Sequence, residues 1–275
     1  MTTAKRTIIT PPAGIGMPPF RELWGAREVF WRFGTRDIVL RYRQTVVGIA
    51  WVIIQPLVAA GLFSIVFGQV ADLPSQGVPY LVFSFAGVLA WNLFEGVISR
   101  SSASLVANQS LVSKVFFPRM LVPLSTVLSV LLDFAVACGL LAVLLIVFGV
   151  APGWGLLLLP VWLLAAVMFA LGVGLAASAM MVKYRDVGYV LPWFTQVLFF
   201  ATPVAYSLEA VPADLEWLFQ INPLTWLMEC FRWSILDLYA PPVWQMFGVV
   251  GVGLLVLVAG TMVFQKMERG FADVI

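Results

Sequence analysis

The chain of 275 residues contains no histidine. That removes imidazole bases, the commonest metal ligand, and every Ser-His or Cys-His nucleophile. Its two cysteines, Cys138 and Cys230, are too few for a disulfide framework or a cysteine-based metal site. Charge is scarce as well. Asp, Glu, Lys and Arg make up 11% of residues and apolar residues 61%, against about 25% and about 45–50% in soluble domains. Mean hydropathy is +0.98. So few charges cannot cover a water-facing surface, which excludes a soluble enzyme and a disordered protein and leaves an integral membrane protein. No Gly-Lys pair occurs, so there is no phosphate-cradling Walker loop, and no Gly-x-Ser-x-Gly elbow.

What is present is apolar length. A bilayer crossing needs about 20 mostly apolar residues, and six segments qualify: 46–70, 80–98, 120–149, 156–182, 188–206 and 243–264. No cleavable signal peptide is expected, because no apolar run follows Lys5-Arg6. Pro11, Pro12, Pro18 and Pro19 mark residues 1–20 as a flexible tail, and 271–275 form a short C-terminal tail. Fifteen of the sixteen Lys and Arg residues fall before the first run, in the second and fourth connections, or after the last run. Only Arg232 falls on the other side, with Asp72, Glu209, Asp214, Glu216, Glu229 and Asp237. The positive-inside rule then predicts six crossings with both termini cytoplasmic.

The connections are unequal. Residues 207–242 form a long outer segment that is amphipathic, with Trp217, Trp226, Phe231 and Trp233 beside its acids. Short apolar pieces flanked by polar residues predict re-entrant or interfacial helices, and Asn222-Pro223 supplies a turn between two of them. Residues 21–45 form an amphipathic helix rather than a crossing, since nine charges interrupt 21–43. Arg21, Glu28, Arg32, Arg36 and Arg43 share one helical sector, and Leu23, Trp24, Phe30, Trp31, Ile38 and Tyr42 share another. That pattern fits a helix lying in the cytoplasmic membrane interface. Gly34-Thr35 is expected to break it, with Thr35 as an N-cap.

Several motifs carry competing readings. Gly172-Val-Gly-Leu-Ala-Ala177 formally matches a dinucleotide fingerprint but lies inside an apolar run. Gly172/Ala176 and Gly174/Ser178 read instead as small-xxx-small helix-packing pairs. Asn108-Gln-Ser110 is a glycosylation sequon on the cytoplasmic side, and is set aside. Glu95 lies near the cytoplasmic end of the second run. Asp133 is deeper, about 20 Å along the third at about 1.5 Å per residue. Its burial is costly, and structural hydrogen bonding, a pore-lining role and proton coupling all remain open. No second deep acid, Lys or Arg accompanies it in the apolar runs. Phe116 and Phe117, on the cytoplasmic connection 99–119, either anchor in the bilayer or plug into a partner. Many aromatics lie in the crossings, most expected to pack against helices or lipid, although rings also bind sugar faces by stacking.

Four ordered blocks carry a resemblance. They are Thr35-Arg-Asp-Ile-Val-Leu-Arg-Tyr-Arg-Gln-Thr-Val-Val-Gly-Ile-Ala-Trp-Val-Ile-Ile-Gln-Pro-Leu57, Leu111-Val-Ser-Lys-Val-Phe-Phe-Pro-Arg-Met-Leu-Val-Pro123, Tyr184-Arg-Asp186 followed by Thr202-Pro-Val-Ala-Tyr206, and Asn222-Pro223 followed by Glu229-Cys-Phe-Arg232. Together they resemble the type-two ABC exporter permeases of the polysaccharide class, the O-antigen, capsule, galactan and teichoic acid exporters, over about residues 21–270.

The resemblance implies an all-α, six-helix transmembrane domain over 46–270, with a coupling loop at 99–119 and an outer gate at 207–242. It implies a homodimer in the cytoplasmic membrane seated on two copies of an ABC ATPase. ATP and Mg are then held by that partner, and this chain is no enzyme and carries no cofactor of its own. The implied cargo is a polyprenyl-diphosphate-linked polysaccharide, with membrane lipids but no nucleic acid as further partners. Residues expected to couple to the ATPase are Arg41, Arg43, Asn108, Lys114, Phe116, Phe117, Pro118, Arg119, Arg185 and Asp186. Phe63, Phe67, Trp193, Phe199, Phe200 and Tyr206 are expected to line the glycan path, and Trp217, Asn222, Pro223, Trp226 and Arg232 the outer gate. A drug or lipid exporter of the same superfamily is the alternative. A membrane glycosyltransferase is disfavoured, because the outer acids show no paired spacing.

Overall fold

The computed structural model describes residues 20–43, 50–112, 114 and 117–271. Among these no strand occurs, and the helices run in order as α1 (Phe20–Gly25), α2 (Arg27–Arg43), α3 (Ala50–Phe63), α4 (Tyr80–Ala107), α5 (Gln109–Val112), α6 (Leu121–Phe148), α7 (Leu159–Lys183), α8 (Val187–Phe200), α9 (Glu216–Ile221), α10 (Pro223–Leu236) and α11 (Val243–Glu268). A π-helical stretch, Ser64–Val70, prolongs α3, and a 3-10 turn, Trp154–Leu158, leads into α7.

Five of the expected apolar runs form helices long enough to cross a bilayer. The fifth in chain order, expected over 188–206, is shorter: α8 has 14 residues, about 21 Å against a core of about 30 Å. The reason lies in the carbonyls that follow it. Asn222 Nδ2 donates to Ala201 O at 3.2 Å, and Arg232 donates to Val204 O at 2.5 Å and Tyr206 O at 3.2 Å. Side chains of a distant segment thus satisfy backbone that leaves the helix. Irregular backbone is tolerated at membrane depth only under that condition.

The centre of the fold is α4, whose Phe83, Phe85, Phe94, Leu89 and Leu93 are fully buried. α7 packs on α4 through Gly174, which faces Ser101, and on α11 through Gly172 and Gly260, whose backbones touch. Without a hydrophobic driving force in lipid, such small residues let backbones approach and gain dispersion contact. The expected packing role of Gly172 and Gly174 is therefore met.

Two expectations about the amphipathic region change. α2 is continuous through Gly34 and Thr35, and the interruption lies at Ala26. Thr35 is no N-cap, because its Oγ1 bonds back to Trp31 O at 2.7 Å. Gly34 instead permits close packing, with Leu128 and Ser125 of α6 against its Cα. The helix also has three faces rather than two. Phe33 and Gly34 are buried against α6, Trp31 stays exposed, and Arg32 and Arg36 occupy a third sector.

Candidate functional site

The first cluster gathers around Asp133. From Tyr80 to Arg100, α4 rises about 30 Å, one hydrocarbon thickness. Arg100 therefore marks one end of a crossing, and α4 runs on to Ala107, so the first residues of the 99–119 connection are helical. Asp133 meets this level. Its Oδ2 accepts from Arg100 Nη2 and lies 3.3 Å from Arg41 Nη2, while its Oδ1 accepts from the Tyr42 hydroxyl. Arg100 Nη1 also donates to Ser129 Oγ at 2.8 Å. Asp133 is thus neither unaccompanied nor deep. The early turns of α6 lie along α2 and α4 instead of lipid, so counting depth from residue 120 overstated it. Burial, then the adjacent carboxylate, pushes the Tyr42 phenol up to about 12, which keeps it a neutral donor.

Around this cluster, the residues expected to couple separate into two groups. Arg36 donates to Asn108 Oδ1, and Asn108 Nδ2 donates to Ser104 O at 2.8 Å where α4 ends. The Phe117 ring rests 5.5 Å from Phe33, so it packs on α2. Pro118 is half-buried just before α6, and Arg119 lies over Phe271 at 5.7 Å. Arg43, Lys114, Arg185 and Asp186 are exposed, the last two on the turn between α7 and α8. Phe116 lies outside the described residues. α2, the end of α4 and the start of α6 therefore form one fastened unit with a basic outer edge.

A second arrangement is aromatic. The π-helical turn sets Phe67 over Phe63 at 5.8 Å, and Phe63 stacks on Phe199 at 5.9 Å. Phe199 meets Phe200 at 5.4 Å and Trp91 edge-on at 5.3 Å. Tyr206 donates to Phe200 O at 2.9 Å and faces Phe219 at 6.2 Å. Four of the six expected path residues thus form one ladder between α3, α4 and α8, and Tyr206 prolongs it by a hydrogen bond. Trp193 is exposed at 64% and lies apart from it. Sequence reading did not assign Trp91 to the path, because a buried α4 ring gives no periodic signal of its own.

The outer segment folds back as α9 and α10. Asn222 joins them, with Oδ1 accepting from Leu224 N at 3.0 Å as N-cap and Pro223 at the first helical position. Trp226 donates to Gln220 O at 2.7 Å and packs edge-on against Trp244 at 5.2 Å, while Trp217 is exposed. Arg232 is 4% exposed, and its guanidinium lies 4.0 Å from the Phe83 ring centroid. A Cβ at Gly87 would come within 2.8 Å of its Nη2. Gly87 and Phe83 complete this site, and the sequence offered no spacing that linked them to Arg232.

Long apolar helices, an outer segment folded back on the bundle, and a charged cluster tying an amphipathic helix to it define a multi-pass membrane protein. The chain belongs to the ABC-2 type transporter family, which it matches over residues 28–236. It is 26% identical over 245 residues to the O-antigen export system permease protein RfbA of Klebsiella pneumoniae, covering 87% of this chain and 92% of that one. It is 26% identical over 255 residues to RfbA of Myxococcus xanthus, covering 92% and 97%. It is 22% identical over 210 residues to the polysialic acid transport protein KpsM of Escherichia coli, covering 74% and 80%.

Proposed function

We propose that this chain is the permease subunit of an ABC transporter that exports a polyprenyl-diphosphate-linked polysaccharide across the cytoplasmic membrane. The observation that carries this reading is the aromatic ladder at Phe67, Phe63, Phe199 and Phe200, in a chain similar along most of its length to O-antigen and polysialic acid transport proteins. A hydrophilic polymer cannot cross lipid and needs a surface that holds it weakly. Ring contacts of about 0.5–1.5 kcal/mol each can be exchanged as the chain advances.

In this proposal two copies of the chain pair and two separate ATPase subunits bind ATP and Mg. The 99–119 connection, with Lys114, Phe116 and Phe117, and the exposed Arg185-Asp186 turn receive the ATPase stroke. Residues 207–242 gate the outer end. Both termini are cytoplasmic, which the Lys and Arg distribution supports.

The test is deletion of the gene from its host. Polymer should accumulate on its lipid carrier inside the cell and reach the surface again when the chain is restored. A Walker-bearing protein should co-purify with it in equal number. Surface polymer at wild-type level in the deletion strain would defeat the proposal. Single cysteines at the exposed Lys114 and Asp214, with Cys138 and Cys230 replaced, should label from opposite sides with an impermeant reagent.

A further inference from the structure

Gln55, Asn92 and Glu95 stand on the apolar helices α3 and α4, yet their side chains make no hydrogen bond or ion pair among the described residues. Asn92 is exposed on a helix whose neighbours Trp91, Leu93 and Phe94 are buried, and Ser99 is exposed two turns further on. At this spacing, Asn92, Glu95 and Ser99 share one face. All three lie between Tyr80 and Arg100, within one hydrocarbon thickness. Lipid tails against this face would leave every one of these groups unsatisfied, which hydrocarbon does not tolerate. The face therefore meets water or a polar ligand.

It bounds a cavity of about 300 Å³ between α3, α4 and α6, at the lower end of the roughly 300–1,000 Å³ of small-ligand clefts. Arg41, Arg100 and Asp133 also line it, and Trp51 does so while 56% exposed. Planar amides and a carboxylate offer paired donors and acceptors that match neighbouring hydroxyls. A guanidinium adds donors, and an indole face suits the C–H side of a pyranose ring. On α3, Trp51 and Gln55 precede Phe63 by two to three turns, so the polar chamber and the aromatic ladder are consecutive stages along one helix.

We propose that this chamber is a sugar-binding subsite. It receives a hexose-like ring through Gln55, Asn92, Glu95 and Arg100 before that ring reaches Phe63 and Phe199. The proposal rests on the polysaccharide reading above.

The experiment places a photoreactive benzoylphenylalanine at Val52, which lines the chamber, or at Phe200 of the ladder, in the full transporter within cells making their own polymer. Adducts are identified by periodate-hydrazide labelling and mass spectrometry. A glycan adduct at Val52 is expected, reduced at least tenfold when Gln55→Leu and Asn92→Leu are combined. That double variant should also export about tenfold less polymer with the ATPase still co-purifying, and Asn92→Ser should retain more export than Asn92→Leu. Glycan at Phe200, with only phospholipid or a second copy of the chain captured at Val52, overturns the subsite and leaves the polysaccharide reading intact. Wild-type export by the double variant overturns the subsite as well. Glycan at neither position removes both.

Discussion

Arg100 and Arg232 sit at opposite ends of α4 and solve the same problem in different ways. Arg232 is withdrawn from water and Arg100 largely so, at 20% exposed, and away from water an unpaired charge is expensive. Arg232 is held by backbone: the Val204 and Tyr206 carbonyls accept from it and the Phe83 ring covers it. Arg100 is held by a side chain, Asp133, which it shares with Arg41 and Tyr42 of another helix. Carbonyls fixed in one short segment make a permanent fastening. A carboxylate shared between helices makes a joint that can open when one helix moves. The outer arginine thus shapes the re-entrant segment, and the inner cluster ties the amphipathic helix α2 to the bundle.

The sharpest way to break this comparison is Arg232→Met. Two charge-assisted hydrogen bonds are lost and two carbonyls are left unpaired in a buried site, so about 4 kcal/mol of stability should disappear. Thermal unfolding of the purified chain in detergent measures it. Asp133→Asn should cost somewhat less, about 3 kcal/mol, because it strands two arginines of which Arg41 is 45% exposed. Replacing Asp133 and Arg100 together by Leu and Met should recover most of that loss, since apolar replacements of a buried pair are often neutral. A double variant as unstable as Asp133→Asn would show the cluster to be a rigid fastening like that at Arg232.

The remaining effects sharpen the contrast. Gly87→Ala places a Cβ 2.0 Å from Val204 O and 2.8 Å from Arg232 Nη2 and should cost about 3 kcal/mol through overpacking, read by the same melting experiment. Tyr42→Phe removes one hydrogen bond to Asp133 and should cost about 1 kcal/mol, seen as faster proteolysis within α2. The pH dependence follows the same bond. Tyr42 titrates at about 12 in the fold, above the ordinary 10.0. Its contribution is therefore complete below pH 10 and lost as pH rises from 10 towards 12. Melting temperatures at pH 9 and pH 11 should differ more in the wild type than in Tyr42→Phe.

Much of the fold was legible in the residues. Apolar length marked five crossing-length helices and the shorter α8, and small-residue spacing at Gly172 and Gly174 identified a packing face now seen against α11 and α4. Asn222-Pro223 marked a turn that the structure realises as an N-cap. Of the aromatics named from the residues, Phe63, Phe67, Phe199 and Phe200 stand in ring contact across α3 and α8. Trp193 shares the exposed side of α8 with Phe200 but lies two turns earlier, about 10 Å along the axis, and so stands apart from the ladder.

Hydropathy and period are sums over neighbouring residues, so the sequence alone determined an all-helical membrane protein, its apolar runs and the amphipathic character of residues 21–43. Pairing across the chain has no such local sum. That Asp133 meets Tyr42 and Arg100, 91 and 33 positions away, and that α8 stops where Arg232 and Asn222 take the carbonyls beyond it, was decided only by tertiary structure. There a polar group in low dielectric must find its partner wherever the packed helices bring one within reach.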